Sequence, residues 1–179
     1  MQLHLPYENW NAKQLLECTN LDTLRFSFEE PAERSPHVAP VAQALASGKF
    51  ASLRRLVGRH LHGDQSRFRW LLPALTELDV QCAAGDSAFR IPQIVAPRLL
   101  RLSWPELSEH SFGDLFTLLA GVEDNQLRLL ELIPHEIDGL GWNTRPLSEL
   151  LEALSRQRTS LAKIDFGEYY YCIESADIG

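Results

Sequence analysis

The chain predicts an α/β fold: a right-handed solenoid with short parallel strands on one face and helices on the other. Three observations predict it. A six-residue phrase recurs along the chain: an aliphatic residue, two variable residues, a second aliphatic, one variable residue and a further apolar one. Stretches with helical spacing lie between the copies. The interval from copy to copy is that of a single supersecondary unit, too short for a domain.

The phrase is spelled by Leu21, Leu24 and Phe26, then by Leu53 and Leu56 with Gly58 in the third apolar place. It returns as Leu75, Leu78 and Val80, as Leu99, Leu102 and Trp104, as Leu127, Leu130 and Leu132, and as Leu161, Ile164 and Phe166. Leu3 and Leu5 form a partial copy at the start. Its last three positions alternate apolar, variable, apolar, the period of a strand with one buried face.

Between copies, Val38, Val41, Ala42 and Leu45 stand at i, i+3, i+4 and i+7, the spacing of one apolar helix stripe. Phe112, Leu115, Phe116 and Leu119 repeat it, as do Leu147, Leu150, Leu151 and Leu154. A shorter stripe runs through Trp10, Leu15 and Leu16, while Ser66–Leu72 is too short to assign. Pro146 suits a helix start, where its missing donor is not needed. One such unit cannot cover its own apolar face, but stacked neighbours can. The crossover rule for strand–helix–strand connections sets the hand of the coil.

Copies start at residues 21, 53, 75, 99, 127 and 161, so the intervals are 32, 22, 24, 28 and 34. The longer intervals contain two polar, turn-rich loops, Glu29–Pro36 and Pro134–Arg145. Residues 1–179 therefore read as a single domain of about six or seven irregular repeats, with 167–179 as a C-terminal cap.

The phrases LTELDV, LLRLSW and LAKIDF resemble the strand segment of leucine-rich repeats. The helices between them are similar to those of the longer, ribonuclease-inhibitor-like branch. The resemblance runs from Leu3 to Phe166. The asparagine that the family places after the strand is missing from every copy, with Gln81-Cys82 and Pro105-Glu106 near that place. The array is thus expected to be irregular. The resemblance implies a protein-binding module that serves as a scaffold or recruits substrates.

Composition narrows the function. Of 179 residues, 45% are hydrophobic and 23% charged, the balance of a globular domain. The net charge of −7 argues against nucleic acid as partner, because phosphates are met by clustered Lys and Arg. No stretch approaches roughly 18 apolar residues, so no membrane span is expected. The N-terminus lacks the basic start and apolar run of a secretory signal. Cys18, Cys82 and Cys172 are odd in number and widely spaced, which fits reduced thiols in a cytoplasmic protein.

No enzyme motif emerges. Gly139 and Gly141 lack the third glycine of a dinucleotide loop, and neither a GK[ST] nor a GxSxG sequence is present. His60 and His62, with Asp64 after them, share a strand face but find no third metal ligand nearby. His135-Glu136 lacks the second histidine of a zincin. Glu29-Glu30 and Glu123-Asp124 are adjacent acids on loops. Neither catalytic residues, nor a metal site, nor a cofactor are assigned.

What remains is the open outer face of the sheet, expected to be the concave side of the solenoid and the surface that binds a partner. The middle residue of each strand segment points away from the core, giving His4, Arg25, Val57, Asp79, Ser103, Glu131 and Asp165. Their outward flankers include Arg55, Arg59, Glu77, Gln81, Arg101, Leu129, Ile133 and Lys163. The expected partner-binding set is Arg25, Arg55, Val57, Arg59, Asp79, Arg101, Ser103, Leu129, Glu131, Ile133, Lys163 and Asp165. Cations dominate its early half and acids its later half, so the face is expected to be polarised along its length, which orients a partner and speeds encounter.

The expected partner is another protein. Self-association is a second outlet, through the open solenoid ends or through Tyr169, Tyr170 and Tyr171, which also suit a cap. Trp142 has the same two roles open to it. Without a recognisable N-terminal cap before Leu3, the chain is open to being part of a longer protein. Two other classes stay compatible with the sequence: a compact α/β enzyme with a dispersed site, and a structural homo-oligomer.

Overall fold

The computed structural model describes residues 2–5, 15, 17–18, 20–27, 38–61, 66–82, 90–104, 109–132 and 144–165. In chain order they form β1 (Gln2–Leu5), β2 (Thr23–Ser27), α1 (Val38–Ala46), β3 (Arg55–Leu61), β4 (Arg69–Leu71), β5 (Glu77–Cys82), β6 (Gln93–Val95) and β7 (Arg101–Trp104). Then follow α2 (Glu109–Ala120), β8 (Leu129–Leu132), α3 (Thr144–Leu154), a 3-10 turn over Ser155–Gln157, and β9 (Lys163–Asp165). Glu29–Pro36, Ile133–Asn143 and the tyrosine tail lie outside the described residues.

The architecture is α/β. Seven strands form one open, parallel sheet in the order β1-β2-β3-β5-β7-β8-β9. Each of the seven copies of the phrase supplies one of these strands. Leu3, Leu24, Leu56, Leu78, Leu102, Leu130 and Ile164 are successive register partners, so the second aliphatic of every copy falls in one row across the sheet. Leu21, Leu53, Leu75, Leu99 and Leu127, the first aliphatics, are buried in the same core. At the two edges Leu3, Leu161 and Ile164 are only partly buried, because each lacks a neighbour on one side.

The phrase also dictates its own entry. The N–H of Leu53 donates to Phe50 O at 3.1 Å, that of Leu75 to Leu72 O at 3.0 Å, and that of Leu99 to Ala96 O at 3.2 Å. Each bond closes a tight turn just before the strand. One residue on, a carbonyl accepts two N–H groups from the next copy: Asp22 O from Arg54 and Arg55, Arg54 O from Thr76 and Glu77, Thr76 O from Leu100 and Arg101. Leu100 O and Arg128 O continue the pattern into β8 and β9. Adjacent copies are thereby held in register before the ladder proper begins.

A second layer covers the core. α1 packs on β4, β4 pairs with β6, β6 packs on α2, and α2 packs on α3. This layer runs in the same order as the sheet. The three helices lie where the apolar stripes predict them, and Pro146 falls in the first turn of α3.

Among the described residues, the backs of the copies that start at Leu53 and Leu75 are strands instead of helices. Those are the copies with the shortest intervals, 22 and 24 residues, against 32, 28 and 34 where a helix forms. A short connection has room for an extended crossing of three residues and little else. Pro73, Pro92 and Pro97 bracket these two strands, and proline is excluded from helix interiors. Trp70 of β4 is buried and its indole Nε1–H donates to Ala42 O at 3.1 Å, tying the first of these strands to α1. Gly48 ends α1 with φ 72°, and the Ser47 N–H and hydroxyl both donate to Ala44 O. Among the described residues no helix is long and apolar enough to cross a membrane.

Candidate functional site

The alternation that sends Leu24, Leu56, Leu78, Leu102 and Leu130 into the core sends their neighbours to the opposite face of the sheet. Two outer rows result. The middle row is His4, Arg25, Val57, Asp79, Ser103, Glu131 and Asp165, each the register partner of the next. The residues read from the phrase as outward-pointing thus stand side by side, at the roughly 4.8 Å strand spacing. The row before it is Gln2, Thr23, Arg55, Glu77, Arg101, Leu129 and Lys163. Arg59 stands beyond, opposite Ser27.

Exposure is uneven. Arg25, Arg55, Arg59, Arg101 and Lys163 are exposed, while Asp79, Ser103, Leu129, Glu131 and Asp165 are half-buried. Val57 departs from the expected set. It occupies its place in the middle row, between Arg25 and Asp79, but is only 2% exposed and lies apart from the main core cluster. As the one aliphatic side chain of that row it gains by leaving water, so it offers no accessible surface to a partner. Ile133 lies outside the described residues.

The charges are organised by row as well as along the sheet. Arg25, Arg55 and Arg59 make the β2–β3 end basic, as expected. From β5 to β9 the polarity runs across the strands. Asp79, Glu131 and Asp165 fill the middle row, whereas Arg101 and Lys163 stand in the row before it. The two rows are two residues apart along each strand, about 6.6 Å. Some charges are already matched. Arg55 reaches Glu77 across the strands at 3.3 Å, Lys163 reaches Asp165 at 2.6 Å, and Gln81 donates to Asp79 at 3.3 Å.

At the strand starts the face is indented. A depression of about 320 Å³ is lined by Glu77, Leu100, Arg101, Arg128, Leu129, Ala162 and Lys163. Three of these, Leu100, Arg128 and Ala162, are absent from the residues read from the sequence. Each is the second residue of its phrase, directly before the strand, so its fixed place in the repeat was the signal that could have found it.

A second hollow of about 190 Å³ lies against the back layer, beside Gln93, Trp104 and Asp114. Among the described residues no three His, Cys, Asp or Glu side chains gather to hold a metal ion. The His60 side chain, His62, Asp64 and His135-Glu136 lie outside them. Of the adjacent acids Glu123 and Asp124, Asp124 is taken by Arg156 at 2.6 Å and closes a loop.

The outer face therefore supplies ordered charge, a few half-buried apolar groups and an indentation, which together suit recognition of a surface or segment. No family model, no curated protein and no solved structure matches the chain.

Proposed function

We propose that the chain is a protein-interaction module that binds its partner through the outer face of the parallel sheet, on an irregular solenoid resembling leucine-rich repeats. The observation that carries this is the common register of seven copies at their strand starts, which sets the variable residue of every phrase in one outer row, the shift between β3 and β5 falling only after Gly58. The strand order supports a solenoid. It rises along the chain without reversing, so it lacks the switch point at which doubly wound sheets bind their ligands. The back layer follows the same order, as stacked units do.

Binding in this proposal is by shape and charge, with no cofactor and no catalysis. Exposed Arg25, Arg55 and Arg101 steer the partner, and the half-buried residues beside them provide the contact. A cytoplasmic setting fits Cys18, which is in no disulfide.

The test compares tagged parent protein with Arg25→Glu/Arg55→Glu/Arg101→Glu and with Arg69→Glu, an exposed position on β4 of the back layer, all verified as folded. A protein partner held by the parent and by Arg69→Glu, but lost by the triple variant, is the expected result. A partner that survives the triple variant places binding elsewhere and refutes the proposal.

A further inference from the structure

We infer that the depression at the starts of β5, β7, β8 and β9 is a seat for a carboxylate, and that the partner segment it takes is an acidic, aliphatic peptide. This rests on the outer face being the binding surface. The chain carries a net charge of −7, yet three of the depression's lining residues are cations and one is an acid. The one acid, Glu77, is engaged by Arg55 at 3.3 Å, on the side away from Arg101. Lys163 is engaged by Asp165 at 2.6 Å. Arg101 and Arg128 are exposed and form no ion pair with a described residue.

Two exposed guanidinium groups, of Arg101 and Arg128, and half-buried Leu100 and Leu129 line the same depression, which pairs planar donors with apolar groups. Guanidinium forks match a carboxylate bidentately. The apolar groups suit an aliphatic neighbour. A volume of about 320 Å³ corresponds to about ten waters, room for one or two side chains of an extended segment.

The middle row decides against a polyphosphate chain. Asp79, Glu131 and Asp165 stand about 6.6 Å from the basic row along the strands. A nucleic acid seated on Arg101 and Arg128 would push its neighbouring phosphates against them. A peptide meets the same pattern easily, since residues two apart on an extended segment are also about 6.6 Å apart and need not both be acidic.

The probes are an extended peptide carrying a single glutamate flanked by leucine and threonine, the same peptide with lysine in place of the glutamate, and a single-stranded oligouridine. Each is titrated into the full chain and followed by amide chemical shifts. The glutamate peptide is expected to move the amides of Leu100, Arg101, Arg128 and Leu129. Its affinity is expected to fall about tenfold or more in Arg101→Glu and in Arg128→Glu, partway in the Gln variants, and not at all in Arg69→Glu.

Equal binding of the lysine peptide, tighter binding of oligouridine, or binding indifferent to Arg101 and Arg128 overturns the inference. So does the absence of glutamate-peptide binding up to millimolar concentration. In each case the comparison of tagged parent and triple variant, by the partner each retains from a cell extract, separates the two ideas. If the triple variant still releases its partner, the carboxylate seat falls and the outer face stands, and if it does not, both fall.

Discussion

Replacing Gln157 by leucine removes a side chain that does the work of a turn. Four of the phrase copies have their first N–H satisfied locally, at Leu53, Leu75, Leu99 and Leu161, by a carbonyl a few residues back. The copy at Leu127 is built differently. Its approach passes through Asn125 at φ 57°, and no carbonyl of its own turn takes the Leu127 N–H. Gln157, from the following copy, reaches back 30 residues instead, and its Oε1 accepts from Leu127 N–H at 3.0 Å and from Gln126 N–H at 2.9 Å. Its Nε2 donates to Glu123 O at 3.0 Å.

Gln157 is 1% exposed, the one buried polar side chain among the described residues. Leucine keeps much of the volume and none of the bonds. Orphaning the Leu127 N–H, in a fully buried residue, costs about 1–3 kcal/mol. Gln126 and Glu123 are nearer solvent and water recovers part of their loss, so the total is about 2–4 kcal/mol. For a chain of 179 residues that lowers Tm by about 4–16 °C. Urea unfolding followed by circular dichroism measures it, with an unchanged slope expected. The neighbouring Arg156→Ala is the internal contrast. Arg156 holds Asp124 at 2.6 Å and Ala120 O at 3.1 Å, but the pair is 48% and 62% exposed, so its loss costs no more than about 1 kcal/mol. A Gln157→Leu cost below that of Arg156→Ala would refute the view that this buried amide substitutes for a turn.

Three further outcomes follow from the same geometry. Leu102→Ala, in the middle of the core row, is expected to cost about 2–5 kcal/mol by urea denaturation, and a loss under about 1 kcal/mol would contradict the packing of that row. Gly48→Ala meets nothing within 4 Å of the new Cβ, so only the φ of 72° opposes it and the cost is about 1–2 kcal/mol by thermal melting, well short of a cavity mutant. Val57→Asp is expected to destabilise by more than about 2 kcal/mol despite its place on the outer face, whereas the uncharged Ser103→Asn in the same row stays within about 1 kcal/mol.

The sheet was legible because the phrase repeats both residue type and spacing. Leucine recurs at the first and second aliphatic positions, and the alternation after it is a strand signature that no helix shares. The outer row followed from the same alternation, which by itself sets residues as distant as Arg25 and Asp165 in one line. The backs of the copies were less legible, since a triplet such as Arg69–Leu71 has too few residues to show a period. The intervals carried the missing information: copies of 22 and 24 residues cannot accommodate a helix and its two links as easily as copies of 28 or more. Burial of Val57 departs from the exposure of its row, and Gln157 bridges to a backbone N–H 30 residues away; a local pattern encodes neither.

The same distinction explains where the indentation arises. Within a strand, position fixes direction, so the outer rows of a regular repeat form an even surface. The residue just before the strand is under a weaker constraint. Its carbonyl is committed, since those of Arg54, Thr76, Leu100 and Arg128 each take two N–H groups from the next copy, but its side chain is not part of the alternation. These positions hold Arg54, Thr76, Leu100, Arg128 and Ala162, a long, a short, a branched, a long and a small side chain in turn. The uneven lengths at one backbone-locked position make a hollow where Ala162 follows Arg128. Enlarging that small residue, as in Ala162→Leu, is therefore expected to fill the seat and weaken binding of the glutamate peptide while leaving the melting temperature within a few degrees, because Ala162 is exposed and its backbone bond to Arg128 O is unchanged. Undiminished peptide binding by a folded Ala162→Leu protein would place the peptide outside the hollow.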